Sequence, residues 1–399
     1  MKQITSVIEI GTSKIVCAIC ESREYDSFEV IGLASVNYSG IKKGQFLNPA
    51  RLADSILEAV DKAEIQANKK IKSVVVGIPG SLVKVACNSA DITVGSDTGI
   101  IDVEDVNFLA GEAQKFFVPE RMEVLHKSPI GFRLNDGRKV VSPVGMRSES
   151  LSGVFSFTTC EKDNISYLYD VFHSIKLDVA EFVGTPLTLG LMLTPPEERM
   201  SLAIILDIGY YATDLIIMQG DGILYHSVIN VGGYNFTNDL SIIMKNSFAD
   251  AEQIKRRYVF GLDTSYMGSN ELFRGESGKV KNHSNETIQA VVEARAQELL
   301  GLINKKINTL GLRFNKSTKM YITGGGMSMM RGCRELFDNY FDYDVRMPKY
   351  ETAKINSPNL YTALSIIEFA NKHELGPKET IGKKKKSGFL QKIIDFFTE

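Results

Sequence analysis

Val7-Ile8-Glu9-Ile10-Gly11-Thr12-Ser13-Lys14 and Leu206-Asp207-Ile208-Gly209-Tyr210-Tyr211-Ala212-Thr213-Asp214 carry one pattern twice, about half a chain apart. Each is an apolar run, an acid, Ile-Gly and small or hydroxyl residues, followed by a second apolar run (Ile15 to Ile19; Leu215 to Met218). The pattern predicts a strand, a tight turn and a returning strand. Glycine in such a turn lets the backbone approach a bound group, and successive N–H donors beside hydroxyls can wrap a phosphate. The acid that closes the first strand is placed to hold a divalent cation, directly or through water, against that phosphate. A single turn of this kind is common in hairpins. Two of them point to a duplicated scaffold that grips one polyphosphate from two sides.

A chain of 399 residues exceeds one ordinary core, so at least two domains are expected. The composition is that of a soluble globular protein, and a net charge of −2 argues against a nucleic-acid binder of the generally basic kind. Five scattered cysteines and no secretory signal at the start fit a reduced cytoplasmic setting. Cys17 and Cys20 have a CxxC spacing, but in a strand an odd separation sends them to opposite faces. The histidines show no ligand spacing, so no structural zinc is expected. No apolar run is long enough to span a bilayer.

Along the chain, Asn48 and Pro49 offer a cap and first turn for a helix whose Leu52, Ile56, Val60 and Ala63 share a face. The run 71–79 reads as a buried strand. From 83 to 160 the pattern changes to short β-rich pieces around one helix opened by Asp102, with turns expected at Leu125-His126-Lys127-Ser128-Pro129 and at Pro143-Val144-Gly145-Met146. A stretch of that size predicts a small inserted subdomain, in which His126 reads as a packing residue. In the second half, Gly232-Gly233 enters a helix and could aim N–H groups at a ligand. Glu252 and Lys255 fall on one side of a helix. The strand that ends in Gly324-Gly325-Gly326 leaves room for a flat ligand to lie on its backbone.

The ordered set IGTSK, LDIGYYAT, VGGYNFTND, AEQIK and TGGG resembles the nucleotide-binding signature of the actin, Hsp70 and sugar-kinase superfamily. Within that superfamily the chain resembles the FtsA family of bacterial cell-division actin homologues: the insert with LHKSP and PVGM and the basic C-terminal tether both match it. The resemblance implies an α/β fold of duplicated RNase H-type domains around a nucleotide cleft, with an inserted small α+β subdomain. The first domain would comprise 1–82 and 161–197 with a return helix at 356–370, and the insert 83–160. The second domain would comprise 198–240 and 317–355, with 241–316 as its upper part, before a linker at 371–387 and a tail at 388–399.

By the same resemblance, Gly11, Thr12, Ser13, Lys14, Gly209, Tyr210, Ala212 and Thr213 would cradle phosphates. Glu9 and Asp207 would face magnesium through water, while Gly232, Gly233 and Asn235 would approach sugar and phosphates. Glu252 and Lys255 would contact the nucleoside, and Gly324, Gly325, Gly326 and Met327 would line the adenosine site. Three departures stand out: Glu9 where aspartate is usual, Val259 where glycine is common, and Ser365 at a position often held by glycine. ATP binding with weak hydrolysis or none is the expectation.

The tail can be read without a family. As a helix, 388–397 puts Phe389, Leu390, Ile393, Ile394 and Phe397 on one broad face, with Phe396 at its edge. At about 1.5 Å per residue it reaches half of a bilayer's apolar thickness, so it can lie in the interface and cannot cross. Each large apolar side chain contributes roughly 1.5–3 kcal/mol at full transfer and less at an interface. Lys383, Lys384, Lys385 and Lys386 each add about 1 kcal/mol near anionic lipid. Together with the resemblance, this implies a self-associating membrane adaptor on the cytoplasmic face at the division site. Its implied partners are the C-terminal peptide of FtsZ, with Arg295 as a candidate contact, and other division proteins. The alternatives are a small-molecule kinase or phosphohydrolase on the same scaffold, and a pilus-assembly adaptor.

Overall fold

The computed structural model describes residues 3–375 apart from 24–26, 43, 47–48, 97, 116, 263–269, 275–279 and 351–353. The lysine run and the amphipathic tail, on which the membrane expectation rests, lie outside the described residues.

Two five-stranded sheets repeat one topology. In the first the order is Phe28–Asn37, Lys14–Ser22, Ile4–Ile10, Ser73–Ile78, Asp178–Gly184; the first three strands are antiparallel and the last two run parallel to Ile4–Ile10. In the second, Gly222–Ile229, Thr213–Gln219, Ala203–Ile208, Lys319–Thr323 and Asp344–Arg346 repeat that order and those directions. The two quoted stretches are therefore the same corner of each sheet, and Glu9 and Asp207 end equivalent central strands.

Alternation along these strands sorts the side chains into separate cores. Ile8, Ile10 and Cys17 face the helices Pro49–Ala67 and Lys162–Ser174, whereas Val7, Ala18 and Cys20 face the other way. The two cysteines thus lie on opposite faces, both buried. Leu52, Ile56, Val60 and Ala63 form the buried stripe of the first helix. In the second half, Leu206 and Ile208 pack on the long helix Asn285–Thr309 through Val292, Ala296, Leu299 and Ile303.

The remaining core belongs to both halves. Val7, Val75 and Val183 of the first sheet share it with Ile205, Ile216 and Tyr321 of the second, across the helices Thr185–Leu193 and Tyr361–Lys372. Where these helices meet, Ser365 Oγ and Thr188 Oγ1 are 2.9 Å apart and fully buried. Glycine there would leave the Thr188 hydroxyl without this partner. The last helix runs to Lys372, and Leu375 beyond it is buried, so the folded part extends past the start of the expected linker.

The insert is an antiparallel sheet in the order Val83–Thr93, Ser150–Glu161, Met122–Leu134, Lys139–Val140, covered by the helix Val103–Gln114. Asp102 caps that helix: its Oδ1 accepts from Asp105 N at 2.9 Å, and Asp105 Oδ2 accepts from Asp102 N at 3.1 Å. The turn expected at Leu125–Pro129 is a correction, since these residues lie inside the strand Met122–Leu134. Pro129, which has no N–H to offer the ladder, sits beside the register shift at Val154/Phe155.

Within that strand His126 does pack. Its Nε2 accepts the backbone N–H of Gly184 at 2.8 Å, its ring lies edge-on to Phe369, and burial lowers its pKa to about 3. The insert also binds the second half: Asp221 N donates to Pro129 O at 3.0 Å and Ser156 Oγ to Ile223 O at 2.7 Å. Arg199, from the short helix Pro196–Arg199 between the halves, is 4% exposed and pairs with Asp221. Replacing Arg199 by Met strands a poorly solvated carboxylate and is expected to cost about 3–5 kcal/mol, whereas R199M combined with D221L costs much less. Urea unfolding of the single and double variants measures this, and equal losses would show that the ion pair is not the relevant bond.

Candidate nucleotide cleft

Both turns close in the same way. Gly11 N donates to Lys14 O and Gly209 N to Ala212 O, each at 2.9 Å. They face one cleft of about 880 Å³ between the halves. Among the described residues, the N–H groups of Thr12, Ser13 and Tyr210 and the hydroxyls of Thr12 and Ser13 take no hydrogen-bond partner, and all three residues line the cleft. This is the chemistry of an anion cradle. Lys14 lines the cleft as well, and its amine donates to Asn359 O.

Two acids stand behind the cradle. Glu9 is 7% exposed, and its Oε2 has no hydrogen-bond partner. Burial raises its pKa, with Lys14 opposing. Asp207 is pushed up to about 7, first by burial and then by the charges of Asp214 and Glu9, while a hydrogen bond from Thr362 and the charge of Lys14 act against this. A shared divalent cation would relieve both carboxylates, and hard oxygen donors suit magnesium. Among the described residues no group of three or more His, Cys, Asp or Glu forms a metal cage, so phosphate oxygens and water would supply the remaining ligands.

The glycine triplet is fixed by close approach. Gly324 has φ +90°, and a Cβ there would fall 2.4 Å from Asp207 Oδ1. At Gly326 a Cβ would lie 2.1 Å from Gly209 O, and Gly326 N donates to Ile208 O at 2.7 Å. Glu252 and Lys255 form an ion pair of 2.7 Å on the helix Phe248–Arg257. Burial lowers the Lys255 pKa, and Lys255, Thr237 and Arg256 together hold Glu252 below the usual carboxylate range against its own desolvation.

The geometry corrects the expected ligand contacts of Gly232, Gly233, Asn235, Thr213 and Met327 and the expected partner contact of Arg295. Gly233 N and Tyr234 N donate to Gly209 O and Tyr210 O, and Gly232 N to Asn235 Oδ1 at 3.0 Å. The double glycine therefore buttresses the second turn from behind. Asn235 instead lines a smaller cavity of about 270 Å³ beyond the turns. Thr213 is fully buried, with its hydroxyl donated to Val231 O at 2.8 Å. Met327 is a buried core residue of the second half. Arg295 is held by Asp239 at 2.7 Å and by Glu298, which neutralise the charge proposed for an acidic peptide.

The cleft also gathers residues that the sequence reading passed over, including Tyr38, Arg51, Asp214, Phe248, Asn359 and Thr362. Asp214 was within view, at the end of the quoted run. No local pattern marks Tyr38 or Arg51, whose place follows from sheet packing.

Two sheets of one topology, with paired phosphate-type turns facing a glycine-floored cleft, define an actin-like fold. Solved structures agree. The chain is similar to a PilM-PilN type IV pilus biogenesis complex (TM-score 0.63, 16% identity, 94% of this chain and 99% of that one). It is also similar to MreB5 of Spiroplasma citri bound to ADP (TM-score 0.54, 12% identity, 93% and 96%). The family model "Cell division protein FtsA" matches 204–365, and "SHS2 domain inserted in FTSA" matches 80–159. Curated relatives called cell division protein FtsA are 24% identical in Bacillus subtilis (97% of this chain, 88% of the relative) and 26% identical in Neisseria meningitidis serogroup B (92% and 90%). The chain belongs to the FtsA family of cell-division proteins.

The raised pKa of Asp207 gives a signed expectation. A carboxyl that titrates higher folded than unfolded loses stability as pH rises from its ordinary range towards 7. Asp207→Asn is therefore expected to raise the melting temperature of ligand-free protein at pH 8 and to change it little at pH 4. An equal shift at both pH values would rule out burial and like charge as the cause.

Proposed function

We propose that this chain binds ATP with magnesium between its halves, self-associates, and holds filaments of a division protein to the cytoplasmic face of the membrane through its C-terminal tail. The observation that carries the nucleotide part is the pair of identically closed turns, with unpartnered donors, facing one cleft in front of two raised carboxylates. Gly11 to Lys14 and Gly209, Tyr210 and Ala212 would take the phosphates, Glu9 and Asp207 the cation through water, and Glu252, Lys255 and Gly324 to Gly326 the nucleoside. Asn235, Gly232, Gly233, Thr213 and Met327 would act by supporting these segments.

Family membership supports a division-site role, and FtsZ as cargo follows from the resemblance. We assign its docking to the upper part of the second half, 241–316. An acidic peptide there would have to displace Asp239 or Glu298 from Arg295 or use other groups. Lipid binding rests on the tail sequence: Phe389, Leu390, Ile393, Ile394, Phe396 and Phe397 behind Lys383 to Lys386. One tail binds reversibly, and many tails on a filament bind far more tightly.

Two measurements test the reading. Fluorescent ATP is expected to bind the wild type, and Gly324→Val, which drives side-chain atoms into Asp207, is expected to abolish that binding while the fold is checked by circular dichroism. Full-length protein is expected to pellet with vesicles rich in anionic lipid and not with neutral ones. Removal of 388–399 should end the pelleting, and equal pelleting by the truncated chain would remove the anchor.

A further inference from the structure

The two turns differ in side chains where their frameworks agree. After Gly11 the first continues with Thr12 and Ser13, whereas after Gly209 the second carries two aromatic rings, Tyr210 and Tyr211. A phosphate cradle needs neither ring. The ring of Tyr211 lies 5.0 Å, centroid to centroid, from that of Tyr234 in the helix Gly233–Ile243. Both side chains are half-buried and line the cavity of about 270 Å³ beyond the turns. Tyr234 in turn stacks at 5.4 Å on Phe248, a residue of the larger cleft, so an aromatic cluster holds the wall from behind.

Both halves build this cavity: Thr12 and Ile41 come from the first, Val228, Asn235 and the two rings from the second. Among the described residues its lining holds no acid, lysine, arginine or histidine, which favours an uncharged occupant. Two polar side chains keep capacity for a ligand. Asn235 Oδ1 accepts from Gly232 N, while among the described residues its Nδ2 donates to no partner and the Thr12 hydroxyl has none. The amide therefore calls for an acceptor, and the hydroxyl oxygen can take a donor. The ring faces favour a planar partner. A cavity of about 150 Å³ takes one benzene-sized ring, so this one has room for two fused rings. We propose that the cavity is a binding site for an uncharged, planar two-ring heterocycle with an acceptor and a donor on its edge. Such a ligand touches both halves, and its binding stabilises their native arrangement.

The test uses the full-length chain without nucleotide and two probes: oxindole, a fused ring pair with one N–H and one carbonyl, and indane, the ring pair without either. Oxindole is expected to bind with a Kd of about 1 mM or tighter by saturation-transfer NMR. It should also raise the melting temperature as its concentration rises. Indane is expected to bind about fivefold more weakly, for want of the two hydrogen bonds. Val228→Phe fills the cavity, and Tyr211→Ala removes one ring without adding volume. Each is expected to weaken oxindole binding about tenfold, with the fold checked by circular dichroism. Wild type that binds no oxindole up to its solubility limit overturns the proposal. Unchanged affinity in either folded variant overturns it as well, because the probe then sits elsewhere, and indane binding as tight as that of oxindole overturns the assigned chemistry. None of these readouts involves ATP, so their failure is distinct from a failure of the nucleotide reading.

Discussion

The molecule depends on a backbone-to-backbone contact that no side chain could survive. Gly326 lies against Gly209 and Gly233, with its own N–H donated to Ile208 O and the Gly233 N–H donated to Gly209 O. Three segments far apart in sequence are thereby brought together at the floor of the cleft. Any Cβ at Gly326 would force Gly209 outwards and with it the turn whose free donors face the cleft. The glycines are therefore needed for the assembly of the cleft itself.

Around that junction the cost of gathering charge is distributed rather than avoided. Glu9 and Asp207 are carboxylates kept from water with Asp214 nearby, an arrangement that disfavours ionisation. Other buried charges are paired inside the fold, as with Lys255 and Glu252 or Arg199 and Asp221. At the cleft, by contrast, two acids with raised pKa stand side by side, a pattern expected of a site completed by a ligand.

Much of this was legible in the sequence because it is local. The strand–turn–strand pattern, the helix with Leu52, Ile56, Val60 and Ala63, and the opposite faces of Cys17 and Cys20 all follow from period and turn chemistry. What failed was whatever depends on who sits behind a segment. Gly232 and Gly233 read as a ligand-facing helix entrance, yet the neighbouring turn consumes their donors. Thr213 reads as a hydroxyl for phosphate, yet strand alternation turns it inward. Leu125–Pro129 reads as a turn because proline usually ends a strand, and a bulge absorbs it here. Arg51, Tyr38 and Thr362 reach the cleft only through tertiary packing, which leaves no mark in a short window of residues.

The insert holds Gly184 of the first half through His126, and Asp221 and Ile223 of the second through Pro129 and Ser156. It therefore has a foot on each side of the cleft. A body fastened at two points cannot stay still while those points separate; it must tilt, or one foot must lift. The angle at which this chain presents its insert to its surroundings is thus geometrically tied to how wide the gap between its sheets stands.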